Sequence, residues 1–439
     1  MRTSVLSIII CAGLFFQVQA QNQQTISGNI SSILSQLTEN GNLKTNAFDS
    51  ENSNIIHIQS TIKQALDHKN PEAGSFEQRF FVFHRGFDLP VVFVTEGYAA
   101  SYAKNPKYRE EISQLLNCNL VIAEHRFFGE SVPEGIPWKY LTVEQAANDH
   151  HQLVLMLKNI YKGPWINTGI SKGGQTAIYH RRFFPQDVKA TVAYVAPFNS
   201  AAEDIKPIEF LSKVKDAKSR KKIKNFQREV LKHRDSIQKM MLSEIIEKNY
   251  TPVMSPDSTL DYLVLEFPFS FWQWCGDTAD IPRAGSSSVA LYKKLTRTVS
   301  VSSYTLPELS YYWPFHYQAY TEIGYYGFDT IALGDLIHIR GGYASNIVMA
   351  PPKIPMNFSP ALTRSVIDFI QHKGNNIIYI YGENDPWSGS AAMPGKEVNA
   401  LKFVLDDACH SVRIRNFDVE TKNQILDQLY QWMVWKPAN

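Results

Sequence analysis

The sequence has little cysteine, little net charge and few long apolar runs. Only four of its 439 residues are cysteine, and 44 basic residues nearly balance 42 acidic ones, for a formal net charge of +2. This balance gives no indication of a nucleic-acid partner. Beyond the N-terminus, no apolar run reaches the roughly 18 residues that a membrane helix needs, so we predict no membrane span. We also find no internal repeat or useful low-complexity tract.

The apolar run at the N-terminus has the features of an export signal. Arg2 gives the positive start, residues 5–16 are apolar, and small residues allow cleavage after Ala20. We therefore predict a signal peptide over residues 1–20 and a mature protein that is secreted or periplasmic.

What the sequence does contain is a G-x-S-x-G motif at residues 169–173. A β-capable run, 163–168, precedes the motif, and helix-compatible residues 175–182 follow it. This is the strand, sharp turn and helix of a nucleophile elbow, with small residues where strand and helix pass each other. We predict that Ser171 is the nucleophile and that the N–H of Lys172 faces a developing oxyanion.

An elbow serine needs a base and an orienting acid, and both follow in the order that α/β-hydrolases use. The apolar strand I-I-Y-I-Y leads to Asp385, and the next strand leads to His410. Each lies just past the carboxyl end of a strand, where open α/β sheets have their sites. We predict that His410 is the base and Asp385 its orienting acid. Asp406 and Asp407 rank lower, because this acid usually comes from a neighbouring strand.

Two early strands supply further candidates. The continuous apolar run 89–95 fits a strand buried on both faces, and we assign the second oxyanion donor to the N–H of Tyr98 in the following loop. Glu124 and Arg126 follow the predicted strand 119–123. Buried charges are costly unless paired, so we interpret them as a buried scaffold, with direct substrate contact as the alternative.

Two clusters receive no chemical role. The mature chain has three cysteines, Cys118, Cys275 and Cys409, so one disulfide is possible, its pairing is open, and at least one thiol stays free. Cys409 precedes His410 but is better interpreted as a small core residue. The Asp-His-His run 149–151 lies on a predicted helix, where adjacent residues do not share a face, so we predict no metal and no cofactor.

The whole pattern predicts an α/β fold: an α/β-hydrolase core with a mostly parallel sheet and an inserted, mainly helical cap. The polar residues 21–61 are predicted as a loose N-terminal arm, and 62–199 as the first part of the core. From 200 to 350 strand alternation fails, first in a highly charged stretch and then in an aromatic-rich one, which favours a cap. The core resumes over 351–439.

Four segments, in this order, resemble a known family. They are L-D-H-x-N-P-x-x-G-x-F-x-Q-R (66–79), E-H-R-F-F-G-E-S (124–131), G-I-S-K-G-G (169–174) and G-E-N-D-P-W-S (382–388). Together they are similar to secreted bacterial prolyl tri/tetrapeptidyl aminopeptidases, and more distantly to the lysosomal prolyl carboxypeptidase and dipeptidyl-peptidase group. The resemblance implies a serine exopeptidase that releases short N-terminal peptides by cleavage after proline. It carries the nucleophile, acid and base onto Ser171, Asp385 and His410.

Under this resemblance the cap binds the substrate. Proline presents a rigid apolar ring without an N–H, so aromatic walls suit it, although for any single aromatic residue the cap's own core is the simpler place. Release of short peptides also needs a charge that holds the substrate's free amine, and we predict Glu266 or Glu322 in this role because each lies within an aromatic run. The aromatic candidates are Phe267, Phe269, Trp272, Trp274, Tyr312, Trp313, Tyr325 and Tyr326.

The sequence thus predicts a secreted serine exopeptidase that acts on proline-containing oligopeptides with a free N-terminus. An esterase or lipase with the same three residues is the second hypothesis, because an apolar cap also suits lipids and a fold does not fix the substrate. A non-catalytic surface protein that retains the fold is the third, and the intact Ser-Asp-His set argues against it. Peptide length, oligomeric state and biological substrate stay open.

Overall fold

A nine-stranded sheet forms the centre of the protein, in the order β1-β2-β3-β5-β4-β6-β7-β8-β9. The structure is a computed structural model that describes residues 44–48 and 55–436. The predicted signal peptide and most of the predicted arm lie outside the described residues. The strands of this sheet are β1 (Lys44–Phe48), β2 (Ile56–Ala65), β3 (Ser75–His84), β4 (Val91–Thr95), β5 (Asn119–Ala123), β6 (Trp165–Ile170), β7 (Ala190–Tyr194), β8 (Ile377–Gly382) and β9 (Ala400–Leu405).

Six strands of this sheet run parallel. β4 pairs in parallel with β5 and β6, and β6, β7, β8 and β9 follow as parallel neighbours. β1, β2 and β3 extend the sheet beyond β5 in antiparallel pairs. Because parallel strands end at one edge, the residues that follow β4, β6, β8 and β9 meet at the same edge of the sheet. Every residue of β4, β5, β7 and β8 is buried, as the continuous apolar runs predict.

The prediction of a loose N-terminal arm over residues 21–61 is wrong for its last part. Residues 56–61 belong to β2, which pairs with β3 over its full length. Its buried positions include His57, Ser60 and Gln64, which are polar. This composition hides the strand, because a half-buried strand is normally recognised by apolar residues at alternate positions.

Helices cover both faces of the sheet. Helices α1 and α12 pack against one face, and α2, α3 and α11 pack against the other. The helices are α1 (Glu111–Leu115), α2 (Val143–Lys158), α3 (Lys172–Phe183), α4 (Lys206–Leu211), α5 (Ala217–Lys232), α6 (Arg234–Glu247), α7 (Pro256–Gln273), α8 (Ser288–Thr298), α9 (Glu308–Tyr311), α10 (Trp313–Gln318), α11 (Ala361–His372) and α12 (Val419–Met433). This arrangement is that of an α/β-hydrolase.

The segment 200–350 carries α4 to α10 and contributes no strand to the central sheet. We call it the inserted segment. It has a hydrophobic core of its own, in which α5, α6, α7 and α8 pack together, with Phe226 against Phe267 at 4.5 Å between ring centroids. The predicted helical character of this insertion is confirmed, and the predicted boundaries of the domains stay predictions.

Two observations concern the described part of the chain as a whole. None of the helices within residues 44–48 and 55–436 is long and apolar enough to cross a membrane. In the same residues, no group of three or more His, Cys, Asp or Glu side chains is arranged to hold a metal ion. Asp149 instead forms a buried ion pair with Arg126, at 2.6 Å between Oδ2 and Nε.

Candidate active site

The predicted elbow has the expected backbone. Ser171 lies between β6 and α3 with φ 58° and ψ −122°, a strained conformation for a residue with a side chain. Its N–H donates to the Tyr194 carbonyl at 2.8 Å. A Cβ on Gly169 would lie 2.2 Å from the Gly173 carbonyl oxygen, so only glycine lets strand and helix pass this closely. The side chain of Ser171 is therefore held out at the edge of the sheet, where it is partly exposed.

Asp385 and His410 meet at the same edge. His410 Nδ1 and Asp385 Oδ2 are 2.7 Å apart, and Asp385 is fully buried. This contact holds the ring so that Nε2 is the nitrogen available for proton transfer. Asp407, the alternative acid, is exposed and pairs with Lys215 instead. The geometry supports the choice of Asp385 that strand order predicts.

Ser171 and His410 are not hydrogen-bonded to each other. Neither Ser171 Oγ nor His410 Nε2 takes part in any hydrogen bond of the described residues. Catalytic hydrogen bonds are often long in the absence of substrate and shorten in the reactive complex. Both groups follow strands of the same parallel set, β6 and β9, and so lie at one edge of the sheet.

The loop after β4 lies against the elbow. A Cβ on Gly97 would be 2.7 Å from Lys172 Cβ and 2.8 Å from the Gly173 nitrogen, so the absence of a side chain allows this approach. Tyr98 is the next residue. Among the described residues, the N–H groups of Tyr98 and Lys172 donate to no other group. Two such donors beside a serine are the composition of an oxyanion hole.

The Lys172 side chain supports the same loop, a role that the sequence did not predict. It is buried, and its Nζ donates to the Gly97 carbonyl at 2.6 Å. The ammonium also lies over the rings of Tyr98 and Phe128, at 5.4 and 5.2 Å from their centroids. Burial lowers the pKa of Lys172 to about 7, while nearby Glu96 acts in the opposite direction.

Glu124 and Arg126 belong to two separate buried ion pairs. Glu124 pairs with Arg79 and accepts a hydrogen bond from the Ala100 N–H at 2.9 Å. The N–H of His125, between the two charged residues, donates to the Tyr98 carbonyl at 3.1 Å. The predicted scaffold is thus present, and it braces the loop of Tyr98.

A cavity of about 310 Å³ adjoins these residues. Tyr98 lines it on the side of the oxyanion loop, and Trp274 lines it near the base. The Trp274 and His410 rings are nearly perpendicular, with 5.7 Å between centroids. Its other aromatic walls are Tyr304, Tyr312, Phe315, Tyr325 and Tyr326.

Glu266 is the acidic residue of this cavity. Ser270 Oγ and Tyr326 OH donate to its two carboxylate oxygens at 2.5 and 2.7 Å. It forms no ion pair with any described Lys, Arg or His, and burial raises its pKa to about 7. A carboxylate whose partners are neutral hydroxyl groups is suited to an incoming cation.

The structure separates Glu322 from this cavity. Its carboxylate accepts a hydrogen bond from the Val143 N–H at 2.7 Å, at the N-terminus of α2, where a negative charge stabilises the helix. Burial raises its pKa to about 7 as well. Glu322 thus has a structural partner, and of the two predicted carboxylates Glu266 is the one that faces the cavity.

Of the eight predicted aromatic residues, four line the cavity and four do not: those that line it are Trp274, Tyr312, Tyr325 and Tyr326, and those that do not are Phe267, Phe269, Trp272 and Trp313. Phe269 stacks on Tyr326 at 4.1 Å between ring centroids, and both Phe269 and Trp272 are almost fully buried in the core of the inserted segment. For any single aromatic residue, burial in the core of the inserted segment is also the simpler expectation. Glu266, Ser270 and Trp274 are spaced four residues apart, so they share one helix face; that spacing is the signal by which the cavity-lining set could have been found.

One disulfide ties the inserted segment to the base. Cys275 and Cys409 are bonded, with 5.4 Å between their Cα atoms, while Cys118 is a free, buried thiol. The His410 N–H donates to the Gln273 carbonyl at 3.1 Å beside this bond. The pairing that the sequence left open is thereby defined.

Two known peptidases are similar to this chain in sequence. The chain is 34% identical over 384 residues to the prolyl tri/tetrapeptidyl aminopeptidase of Streptomyces mobaraensis, covering 86% of this chain and 80% of the relative. It is 29% identical over 181 residues to the human lysosomal Pro-X carboxypeptidase, covering 37% of this chain and 36% of the relative.

Among solved structures, the proline iminopeptidase of Mycobacterium smegmatis aligns over 85% of this chain and 99% of its own, with 11% identity and a TM-score of 0.40. The family described as PS-10 peptidase S37 matches residues 54–438, which is most of the chain. The chain therefore belongs to the PS-10 peptidase S37 family and is a serine peptidase.

Proposed function

We propose that this serine peptidase is an exopeptidase that releases short N-terminal peptides by cleavage after proline. The observation that carries the proposal is Glu266, a carboxylate without a cationic partner in an aromatic cavity beside the base. An exopeptidase of this kind must bind a free amine at a fixed distance from its nucleophile. The similarity to the prolyl tri/tetrapeptidyl aminopeptidase of S. mobaraensis supports the same substrate class.

The proposed reaction is acyl transfer through Ser171. His410 Nε2 removes the hydroxyl proton as Ser171 Oγ attacks the carbonyl carbon of the substrate proline. Asp385 keeps the His410 ring oriented and stabilises its protonated form. The N–H groups of Tyr98 and Lys172 donate to the oxyanion of the tetrahedral intermediate. His410 then protonates the leaving amine, and water releases the peptide from the acyl-enzyme by the reverse sequence of proton transfers.

The cavity has the surface that a proline ring needs. Proline has an apolar ring and no N–H, so it requires contact area and no hydrogen-bond acceptor for its nitrogen. Trp274, Tyr312 and Tyr325 are aromatic walls of the cavity that Glu266 also lines. Aromatic side chains give a large contact area at a low entropy cost. We therefore propose that they bind the proline, while Glu266 binds the α-amine.

We also propose that the mature protein is exported, with the leader removed after Ala20. The Cys275–Cys409 disulfide supports this, because such bonds persist in oxidising compartments and are rare in the cytosol. N-terminal sequencing of the protein purified from culture medium and from periplasmic extract tests the proposal. A purified protein that retains residues 1–20 and remains in the cytosolic fraction contradicts it.

Digestion of a peptide library tests the proposed activity. Each peptide carries one proline and is offered with a free and with an acetylated N-terminus, and mass spectrometry identifies the released fragments. We expect short fragments that end in proline, released much faster from the free-amine peptides than from the acetylated ones. Turnover of p-nitrophenyl acyl esters without peptide release favours the esterase hypothesis. Failure of a fluorophosphonate probe to label Ser171 favours a non-catalytic protein.

A further inference from the structure

Helix α7 connects the proposed amine site to the catalytic base. Glu266 and Ser270 lie on α7 and face the cavity, and the helix ends at Gln273, followed by Trp274. The Gln273 carbonyl accepts a hydrogen bond from the His410 N–H at 3.1 Å. One continuous helix thus carries the carboxylate near its middle and holds the base at its end.

A covalent bond reinforces this connection. Cys275, two residues after α7, is bonded to Cys409, which directly precedes His410. A single backbone hydrogen bond contributes little net free energy and can open transiently, whereas a disulfide does not separate without reduction or thiol exchange. The base and the end of α7 therefore move as one body.

The loop of the orienting acid also contacts α7. Trp387, two residues after Asp385, packs against Phe269 of α7 with 5.0 Å between ring centroids. It also packs against Tyr326, whose hydroxyl donates to Glu266. The helix is thus fixed to the acid loop by packing and to the base loop by the disulfide.

The part of α7 between Glu266 and Gln273 has the length of a short peptide. Glu266 and Gln273 are seven residues apart, which is about 10 Å along the axis at 1.5 Å per residue. An extended peptide covers about 3.3–3.6 Å per residue, so three residues span about 10 Å. Two residues span about 7 Å and four about 14 Å. The axial rise from Glu266 to Gln273, whose carbonyl accepts from the His410 N–H, is therefore close to the length of a tripeptide.

We propose that the Cys275–Cys409 disulfide determines product length, because it locks α7 to the loop of His410 and so fixes the distance between the bound amine and the base. Both cysteines are positioning residues, which act through α7 and through His410. The proposal rests on the proposed function, since it requires Glu266 to hold the substrate amine.

Product length is the readout that a merely stabilising disulfide would not change. The variant is Cys275→Ser/Cys409→Ser, and the matched control is Cys118→Ala, which removes the free, buried thiol of the core. Each protein is given an equimolar mixture of free-amine peptides with proline at the second, third or fourth position. We expect the wild type and the control to release mainly tripeptides. In the double variant the preference for tripeptides over dipeptides and tetrapeptides falls by about tenfold, which corresponds to about 1.4 kcal/mol.

Reduction of the folded protein gives a second route to the same measurement. Cys275 is exposed, so a phosphine reductant can reach the bond in the Cys118→Ala protein, and alkylation followed by mass spectrometry confirms that it is open. If the double variant does not fold, the reduced protein takes its place. An unchanged length preference, in protein that a fluorophosphonate probe still labels, overturns the proposal. A wild type that releases no fragments of fixed length overturns the exopeptidase function itself, whatever the variants do.

Discussion

The substitution Glu266→Gln tests the proposed amine site most directly. The carboxylate accepts from two neutral hydroxyl groups, those of Ser270 and Tyr326, and glutamine can keep both contacts because its oxygen accepts from one hydroxyl while its NH2 group donates to the other. What the variant loses is the charge that pairs with the substrate's ammonium group. A hydrogen bond to a charged group contributes about 1.5–3 kcal/mol, so we expect kcat/KM for a free-amine substrate to fall by about 10–150-fold.

The assay compares two chromogenic substrates that differ only at the N-terminus. A free-amine tripeptide with proline before the leaving group is measured beside its N-acetyl form, which carries no charge. We expect Glu266→Gln to lower kcat/KM for the first and to leave the second nearly unchanged. Glu322→Gln is the matched control, because Glu322 has a similarly raised pKa but binds the Val143 N–H outside the cavity. A free-amine to N-acetyl ratio that is equal in Glu266→Gln and wild type refutes the amine site.

The same ratio has a predicted pH dependence. Burial raises the pKa of Glu266 to about 7 in the free enzyme, so the carboxylate is charged above this pH and neutral below it. We expect the free-amine to N-acetyl ratio of the wild type to fall as the pH drops from 7 to 5.5, and that of Glu266→Gln to stay flat. In this range the α-amine of the substrate, with a pKa of about 7.7–8.0, stays mostly protonated. Effects of pH on the chemical step are common to both substrates and cancel in the ratio. A fall of equal size in both proteins contradicts the assignment.

Three further variants test other parts of the site. Asp385→Asn leaves the His410 ring wrongly oriented, so we expect kcat to fall by about 10⁴-fold with little change in KM, and a loss of less than tenfold contradicts this role. Gly97→Ala adds a Cβ 2.7 Å from Lys172 Cβ and so displaces the oxyanion loop. We expect kcat to fall by about 10²-fold, while a fluorophosphonate probe still labels Ser171 at a lower rate. Unchanged kinetics refute the assignment. Burial raises the pKa of Glu322 from 4.5 to about 7, so between these two pH values the carboxyl group is protonated in the folded state and ionised in the unfolded chain. The free energy of unfolding therefore decreases as the pH rises toward about 7. The difference in Tm between Glu322→Gln and wild type should therefore increase from pH 5 to pH 8, and parallel curves contradict it.

The parts of the site on the sheet were predictable because local sequence determines them. A G-x-S-x-G between a β-capable run and helix-compatible residues requires the close passage seen at Gly169. Asp385 and His410 each follow an apolar run, and the parallel sheet brings such strand ends together. β2 was missed for the opposite reason, because its buried positions are polar and only pairing with β3 reveals them.

The parts in the inserted segment depend on packing that the sequence does not display. Glu266 and Glu322 lie in similar aromatic runs, yet one faces the cavity and the other binds the N-terminus of α2. Around the helix, Ser270 and Trp274 lie about 40° and 80° to one side of Glu266, at about 100° per residue. Phe269 and Trp272 lie about 60° and 120° to the other side, in the core of the inserted segment. The disulfide joins cysteines that are 134 positions apart, so no local pattern could select Cys275 as the partner of Cys409.

The point of insertion also has an evolutionary consequence. β7 and β8 are adjacent parallel strands, and α11 alone would complete an ordinary crossover between them. The inserted segment is therefore an addition to a β7–α11–β8 connection that is complete without it. The stability of the core changes only slowly as the length of such a connection increases. Replacement of this inserted segment by another would therefore change the substrate specificity, while the sheet and the catalytic residues at its edge stay the same.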